Sequence, residues 1–166
     1  RLRPLRLMRR PDLAFLFAHP AHFVACGLGS GLSPFAPGTA GTLAAWLMYP
    51  GLRPWFSEAG FALFLAAAFL VGIYAADRTG RALGVADHGA IVWDEMVPFW
   101  LVLFLTPPGL LWQTAAFFWF RFFDVVKPQP ARWVDGNMKH GFGVMLDDLI
   151  AAGYTLLAIA VFMAVF

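Results

Sequence analysis

Long apolar segments alternate with short polar stretches along most of the chain. The clearest segment runs from Ala59 to Ala76 without a charged residue; as a helix it is about 27 Å long, close to the hydrocarbon thickness of a bilayer. Comparable segments, some holding acids near one end, cover 40–49, 90–106, 110–123 and 144–166. The pattern predicts an all-α fold, a polytopic helical membrane protein with four to five transmembrane helices.

The first 38 residues have a different character. Residues 1–12 form a basic arm containing five arginines, which we expect to lie in the cytoplasm against anionic lipid, the alternative being a solvated arm. Residues 13–38 begin with an apolar piece that is too short to span and continue as a Gly/Pro-rich loop, so they predict a re-entrant or interfacial segment. Thr39 is then the predicted N-cap of the next helix. We treat 1–166 as a single domain.

Composition supports the membrane assignment. Hydrophobic residues make up 60% of the chain and charged residues 13%, about half the charged share of an ordinary soluble domain, and the mean hydropathy is +0.68. This balance excludes a disordered chain, a nucleic-acid-binding tail and most soluble enzymes. The expected partners are the bilayer and its anionic phospholipids, not nucleic acid.

The placement of basic residues predicts an orientation. If the arm is cytoplasmic and five segments cross in turn, the loops 77–89 and 124–143 are also cytoplasmic. Of the 12 Lys and Arg residues, Arg53 is then the one that lies outside. This strong positive-inside bias favours five crossings.

The same topology gathers carboxylates at the cytoplasmic ends of three helices. We expect Asp94, Glu95, Asp124, Asp147 and Asp148 to lie at one level. Acids this close repel one another and require bound cations or protons. Oxygen ligands of this kind suit Mg²⁺, Mn²⁺ or Ca²⁺, so the sequence predicts a metal site; water-exposed acids at helix ends are the alternative.

Basic side chains accompany these acids. Arg121 and Lys127 flank Asp124 at three-residue spacing, on one face if the helix continues that far. We assign them, together with Arg132 in the following loop and Thr39 after the glycines, to substrate binding. The alternatives are snorkelling positive-inside residues and a tight turn. Carboxylates beside Lys and Arg suit phosphoryl chemistry, in which charge neutralisation dominates.

Four blocks of sequence carry a family resemblance. They are GLSPFAPGTAGT at 31–42, Asp87 followed by IVWDE at 91–95, FRFFDVVKP at 120–128 and GFGVMLDD at 141–148. In this order they resemble the motifs of the phosphatidylglycerophosphatase A family, and together they are specific. One departure is Pro98-Phe99, where the family has Gly-Gln.

The resemblance implies a Mg²⁺-dependent phosphatase of the bacterial inner membrane, its active site facing the cytoplasm. It would convert phosphatidylglycerophosphate to phosphatidylglycerol and phosphate. As catalytic residues and metal ligands we expect Asp94, Glu95, Asp124, Asp147 and Asp148. Asp87 is the candidate for orienting the attacking water, and Arg121 and Lys127 for binding phosphate.

Two other classes of function remain open at this point. Intramembrane acids also mark ion and proton pathways, although a carrier is expected to place them near mid-bilayer. A relative that binds lipid without turnover would keep the fold and lose the chemistry. Metal-dependent phosphate release separates these classes, and a homo-oligomer is compatible with each.

Overall fold

Helices make up most of the part of the chain that the computed structural model describes, residues 10–165, and no strand occurs there. The α-helices are α1 (Leu13–Ala18), α2 (Pro20–Ala25), α3 (Pro37–Leu52), α4 (Glu58–Leu83), α5 (Trp93–Leu105), α6 (Leu110–Val126), α7 (Ala131–Asn137) and α8 (Gly141–Val165). Two 3₁₀ helices, Gly27–Leu32 and Arg53–Trp55, precede and follow α3. The all-α prediction is confirmed. Most of the predicted basic arm lies outside the described residues.

Two helices are long and apolar enough to cross a membrane. They are α4, with 26 residues, and α8, with 25. Helix α4 is longer than the predicted segment. It continues through Asp77 and ends before Gly84, which caps it with a left-handed φ of 78°. The predicted loop 77–89 therefore begins only at Gly84.

The start of α3 and the connection before α8 also differ from expectation. Helix α3 starts at Pro37 after the left-handed Ala36, so Thr39 lies in its first turn and is not the N-cap. Proline is well suited to a first helical position because its φ is fixed there. The predicted interfacial piece forms α1 and α2, and the predicted polar loop 124–143 contains α7.

Helices α5 and α8 form the centre of the bundle. Helix α5 packs against α3, α4 and α8, and α8 packs also against α6 and α7. The indole N–H of the buried Trp100 donates to the Ala45 carbonyl at 2.9 Å, which fixes α5 against α3. At Gly141 a Cβ would lie 2.0 Å from the Ile73 carbonyl oxygen, so α8 begins in direct contact with α4.

Large apolar side chains cover the outer surfaces of the long helices. Exposed examples on α4, α6 and α8 are Leu63, Leu70, Leu111, Phe118, Val125 and Leu157. A water-soluble monomer rarely exposes apolar surface on this scale. The outer surface is therefore suited to contact with lipid.

The N-terminal segment holds the stretch that leads into α5. The Val92 N–H donates to the Ala25 carbonyl at 2.9 Å, and Gly41 of α3 lies against the Val92 side chain. A Cβ on Gly31 would meet the Ala90 carbonyl oxygen at 2.1 Å. These close backbone approaches fix where α5 starts, and with it the position of its first-turn acids.

Candidate active site

Three helix ends bring carboxylates together at one end of the bundle. Glu95 lies in the first turn of α5, Asp124 in the last turn of α6, and Asp148 in the second turn of α8. Each offers an oxygen within 4.8 Å of the other two, and Asp124 and Asp148 are buried. We call these three residues the inner acidic group.

A second set of three lies beside the first. Asp87 precedes α5, Asp135 belongs to α7, and Asp147 is the neighbour of Asp148 on α8; their oxygens also lie within 4.8 Å of one another. We call these the outer acidic group. Burial is the main cause that raises the pKa of Asp87, even though part of its side chain is exposed, while Lys127 acts in the opposite direction.

One basic side chain forms ion pairs with each acidic group. Arg121 forms an ion pair with Asp124, and its Nη1 lies 3.1 Å from Glu95 Oε2. Lys127 forms an ion pair with Asp147, and its Nζ lies 3.6 Å from Asp135 Oδ1. Burial alone would lower the pKa of Lys127, but the neighbouring carboxylates outweigh it and raise that pKa, so the ammonium stays charged.

Lys127 does not share a helix face with Asp124, because the helix does not continue that far. Helix α6 ends at Val126, and Lys127 is its C-cap with a left-handed φ of 47°. Pro128 disfavours a helical conformation in the residue before it, so the chain turns there. The turn directs the lysine to Asp147 and Asp135, not to Asp124.

Negative charge exceeds its compensation at this site. The two acidic groups hold six carboxylates, Asp94 is buried near them, and the ion pairs involve two cations. Within residues 10–165, Asp94 Oδ1 and Asp148 Oδ1 have no hydrogen-bond partner. Buried polar atoms are nearly always satisfied, so these oxygens fit an all-oxygen site for a hard cation such as Mg²⁺.

The first turns of α3 form a seat for Glu95. The Thr42 hydroxyl lies 3.4 Å from Glu95 Oε2 and 3.0 Å from the Gly38 carbonyl. A Cβ on Gly38 would lie 2.2 Å from Glu95 Oε1, a distance that real side chains do not adopt. Gly38 therefore leaves the space that the carboxylate occupies.

Two predicted substrate-binding residues lie apart from these ion pairs. Thr39 is half-buried in the first turn of α3, next to Gly38. Arg132 is exposed on α7, where its Nη2 donates to the Val126 carbonyl at 3.2 Å.

Sequence reasoning missed Asp135, Gly38 and Thr42. The predicted topology puts Asp135 on the cytoplasmic side with the other acids, but Asp135 lies in a short helix with no apolar periodicity to place it beside them. Gly38 and Thr42 are four residues apart and thus share a helix face, a signal that could have placed them together.

The comparisons with known proteins agree with this geometry. The family model described as Phosphatidylglycerophosphatase A matches residues 23–163. The chain belongs to the phosphatidylglycerophosphatase A family. It is therefore a phosphatase, and the predicted resemblance is confirmed.

Similar proteins match over most of their length. A phosphatidylglycerophosphatase A of Haemophilus influenzae is 44% identical over 143 residues, which cover 85% of this chain and 87% of that protein. The Escherichia coli K12 protein of the same name is 40% identical over 152 residues, 87% of this chain and 86% of its own. A Bacteroides thetaiotaomicron protein, provisionally named a phosphatidylinositol-3-phosphatase, is 42% identical over 149 residues. These residues cover 83% of this chain and 90% of that protein. No solved structure matches the chain.

In this phosphatidylglycerophosphatase A family member, each of the four motif blocks delivers residues to the same place. The block 31–42 supplies Gly38 and Thr42, and 87–95 supplies acids of both groups. The block 120–128 supplies Asp124 and both cations, and 141–148 supplies the neighbouring pair at 147–148. At the departure from the family pattern, Phe99 is fully buried against Phe120.

Proposed function

We propose that this chain removes the terminal phosphate of phosphatidylglycerophosphate, leaving phosphatidylglycerol, at the cytoplasmic face of a bacterial inner membrane. One observation carries the proposal. Buried carboxylates from several elements meet beside Arg121 and Lys127 in a chain of this family. Phosphoryl transfer needs positioned groups and neutralised charge more than covalent chemistry, and this arrangement provides both.

We propose Mg²⁺ as the cofactor, with Mn²⁺ as a substitute. The inner acidic group would hold it, with Asp94 and Asp147 as further ligands. Support comes from the donor set and from the unpartnered oxygens of Asp94 and Asp148. Bound there, such an ion neutralises phosphate oxygens and makes water a better nucleophile.

The chain's own residues account for the other parts of the reaction. Arg121 and Lys127 donate hydrogen bonds to the phosphate oxygens and balance their charge. Asp87, which is partly exposed, orients the attacking water and accepts its proton. The water oxygen forms the new P–O bond, the bond to the glycerol oxygen breaks, and that oxygen takes up a proton.

A bilayer crossed by α3, α4, α5, α6 and α8 would place this chemistry at the lipid headgroups. The apolar outer surfaces of these helices support the assignment. The opposite end of the bundle carries the exposed Glu58, paired with Arg53. The ionisable groups at that end are few, which favours an enzyme acting at one face over an ion carrier.

A second lipid phosphomonoester deserves a direct comparison. The Bacteroides thetaiotaomicron relative is provisionally named for phosphatidylinositol 3-phosphate, and its identity to this chain lies between those of the other two relatives. The shared chemistry is a phosphomonoester on a phospholipid headgroup.

The test is inorganic phosphate release by purified protein in detergent. Phosphatidylglycerophosphate, phosphatidylinositol 3-phosphate, phosphatidic acid and a soluble phosphomonoester are each offered with Mg²⁺ or with EDTA. We expect release from the first lipid, abolished by EDTA. Preference for the inositol lipid would transfer the proposal to that substrate. Folded protein that binds Mg²⁺ and releases nothing would favour a non-catalytic lipid-binding role.

Removing one charge at the site tests the metal assignment. Asp94→Asn keeps the shape of the side chain, and we expect turnover to fall at least about 100-fold, while circular dichroism and Tm stay near those of the parent. Glu58→Gln is the matched control, because Glu58 is an exposed acid at the other end of the bundle. Near-normal activity of Asp94→Asn would contradict the assignment.

A further inference from the structure

An apolar groove runs along the outside of the bundle between α4 and α5. Its volume is about 420 Å³. Its walls include Ala62, Ala66 and Phe69 of α4, and Val97, Pro98 and Leu101 of α5. Leu149 of α8 lines it too, and none of its lining residues is charged.

One end of the groove lies about one helical turn from Asp94, at Val97 and Pro98. Asp94, Val97, Pro98 and Leu101 are spaced at i, i+3, i+4 and i+7, so they lie on one face of α5. Leu149 directly follows Asp148 of the inner acidic group. One end of the groove therefore lies next to both acids whose Oδ1 atoms have no hydrogen-bond partner within residues 10–165.

The groove then leads away from the site. Gly72 of α4 lies against Trp93 and Met145, which marks the level of the first-turn acids. Ala62 precedes Gly72 by ten residues, about 15 Å along the helix. A molecule with a charged group at the acids and a long apolar tail would fit this path.

We propose that the groove between α4 and α5 binds one acyl chain of the phospholipid while its phosphate group lies at the acidic groups. The inference rests on the proposed function and adds to it how the lipid is held. Small side chains at Ala62 and Ala66 leave room for the chain. The binding of an apolar tail remote from the reacting atoms is a means by which enzymes position a headgroup.

A second apolar groove of similar size serves as a comparison. It has a volume of about 430 Å³ and lies between α6 and α8, lined by Trp119, Phe123, Tyr154, Leu157, Ala158 and Val161, among others. The Tyr154 ring stacks on Phe123 at 5.4 Å, and its hydroxyl donates to the Gln129 carbonyl. Phe123 of this groove directly precedes Asp124 of the inner acidic group, but no wall residue is next to Asp94 or Asp148 in the chain. The unpartnered oxygens within residues 10–165 belong to those two acids, so we assign the chain to the groove between α4 and α5.

The experiment compares two alanine-to-phenylalanine variants on long and short lipids. Ala62→Phe fills the distant part of the first groove, and Ala158→Phe places the same side chain in the second. Each is assayed with dioleoyl and dihexanoyl phosphatidylglycerophosphate in detergent. We expect Ala62→Phe to lower kcat/KM for the dioleoyl lipid about tenfold and to change kcat/KM for the dihexanoyl lipid much less, because a six-carbon chain gains little binding energy from the groove. Ala158→Phe should change neither.

Other outcomes overturn the inference. Equal effects of Ala62→Phe on the two lipids would show that the groove does not sense chain length, and a selective loss in Ala158→Phe would assign the chain to the second groove.

A binding measurement keeps the inference separate from the proposed function. Phosphatidylglycerol with a diazirine at the end of one acyl chain should crosslink to residues 62–70 or 97–104 of the wild-type protein, and less to Ala62→Phe. Excess unlabelled phosphatidylglycerophosphate should compete for these crosslinks, which distinguishes binding in the groove from general lipid contact at exposed residues such as Leu63. Crosslinks confined to 154–165 would contradict the inference even if the enzyme is active. Crosslinking to 62–70 in a protein that hydrolyses no lipid would support the groove and refute the proposed reaction.

Discussion

At the scale of single residues, the position of Glu95 depends on the absence of a side chain at Gly38. The carboxylate lies where a Cβ would be, and Thr42 approaches it from the same helix face. Glu95 is one of two acids that pair with Arg121, and its position depends on α3, a helix that carries no acid of this site. A small change on α3 should alter the chemistry of α5.

Gly38→Ala tests this dependence. The new methyl group must displace Glu95, so we expect kcat to fall about tenfold or more and the Mg²⁺ concentration for half-activity to rise, as for other changes beside metal ligands. Both are measured by phosphate release across a Mg²⁺ titration. Gly51→Ala, on the same helix with open space around it, is the control and should behave as the parent. Equal activity of the two variants would contradict the seat for Glu95.

The sequence predicts that these acids lie close together, but it does not predict all of their contacts. Asp94, Glu95, Asp124, Asp147 and Asp148 were placed at one level because apolar segments of known rise set the heights of helix ends. Lys127 pairs with Asp147 and Asp135, and not with Asp124, because a left-handed turn after α6 changes the side-chain direction that helical spacing assumes. Asp135 was missed because tertiary contacts, and no periodic pattern, place α7.

At the scale of elements, the lengths of the apolar segments predict which long helices form. The capping residues determine where those helices end. Helix α4 continues past its charged residues because Ser57 and Gly84 supply its caps, while Asp77 pairs with Arg81 one turn on. Polar residues do not stop a helix once its backbone is satisfied. The site nevertheless depends on these ends, because its acids lie within two turns of them.

Gly141→Ala tests how the start of α8 is placed. An added Cβ would lie 2.0 Å from the Ile73 carbonyl oxygen, and neither backbone can give way easily. We expect a loss of about 2 kcal/mol or more in the free energy of unfolding, a fall in Tm of about 5 °C, and reduced activity because Asp147 and Asp148 move with the helix. Gly153→Ala, in open space on the same helix, should keep Tm or raise it slightly. A parent-like Tm for Gly141→Ala would rule out the close packing of α8 on α4.

The stability of the contact between α2 and α4 should depend on pH. His22 is 7% exposed, its Nδ1 lies 2.9 Å from the Thr79 hydroxyl, and burial lowers its pKa, with His19 and Arg78 acting in the same direction. A neutral folded histidine binds fewer protons than the unfolded one, so its contribution to stability is full above about pH 6.5 and is lost as the pH falls below that value.

We therefore expect Tm to fall between pH 7.5 and pH 5 by more in the wild-type protein than in His22→Gln. Thermal unfolding followed by circular dichroism measures the difference. His140→Gln is the control, because His140 is exposed and should leave the pH dependence unchanged. A pH dependence that is identical in His22→Gln and wild type would refute the role of His22.

At the scale of the whole molecule, the acidic site lies at one end of a bundle whose sides are apolar. The acids lie at the start of α5 and α8 and at the end of α6, so these helices run alternately towards and away from the site. Helices α4 and α8 are long enough to span by themselves. Helices α3, α5 and α6, of 16, 13 and 17 residues, are shorter, so a crossing by them would depend on packing within the bundle and on the bilayer adapting to their length.

Single cysteines at three positions test the topology between the end of α3 and the start of α8. The native Cys26 is fully buried and should give little background. In whole cells, we expect a membrane-impermeant maleimide to label Trp55→Cys and Pro108→Cys from outside, and Lys139→Cys only after permeabilisation. Each of these three side chains is exposed in the structure. Labelling of Pro108→Cys only from inside would mean that α5 and α6 enter and leave the membrane at the same face, which leaves three crossings. Labelling of Lys139→Cys from outside would place the acidic groups, and the chemistry, on the outer side of the membrane.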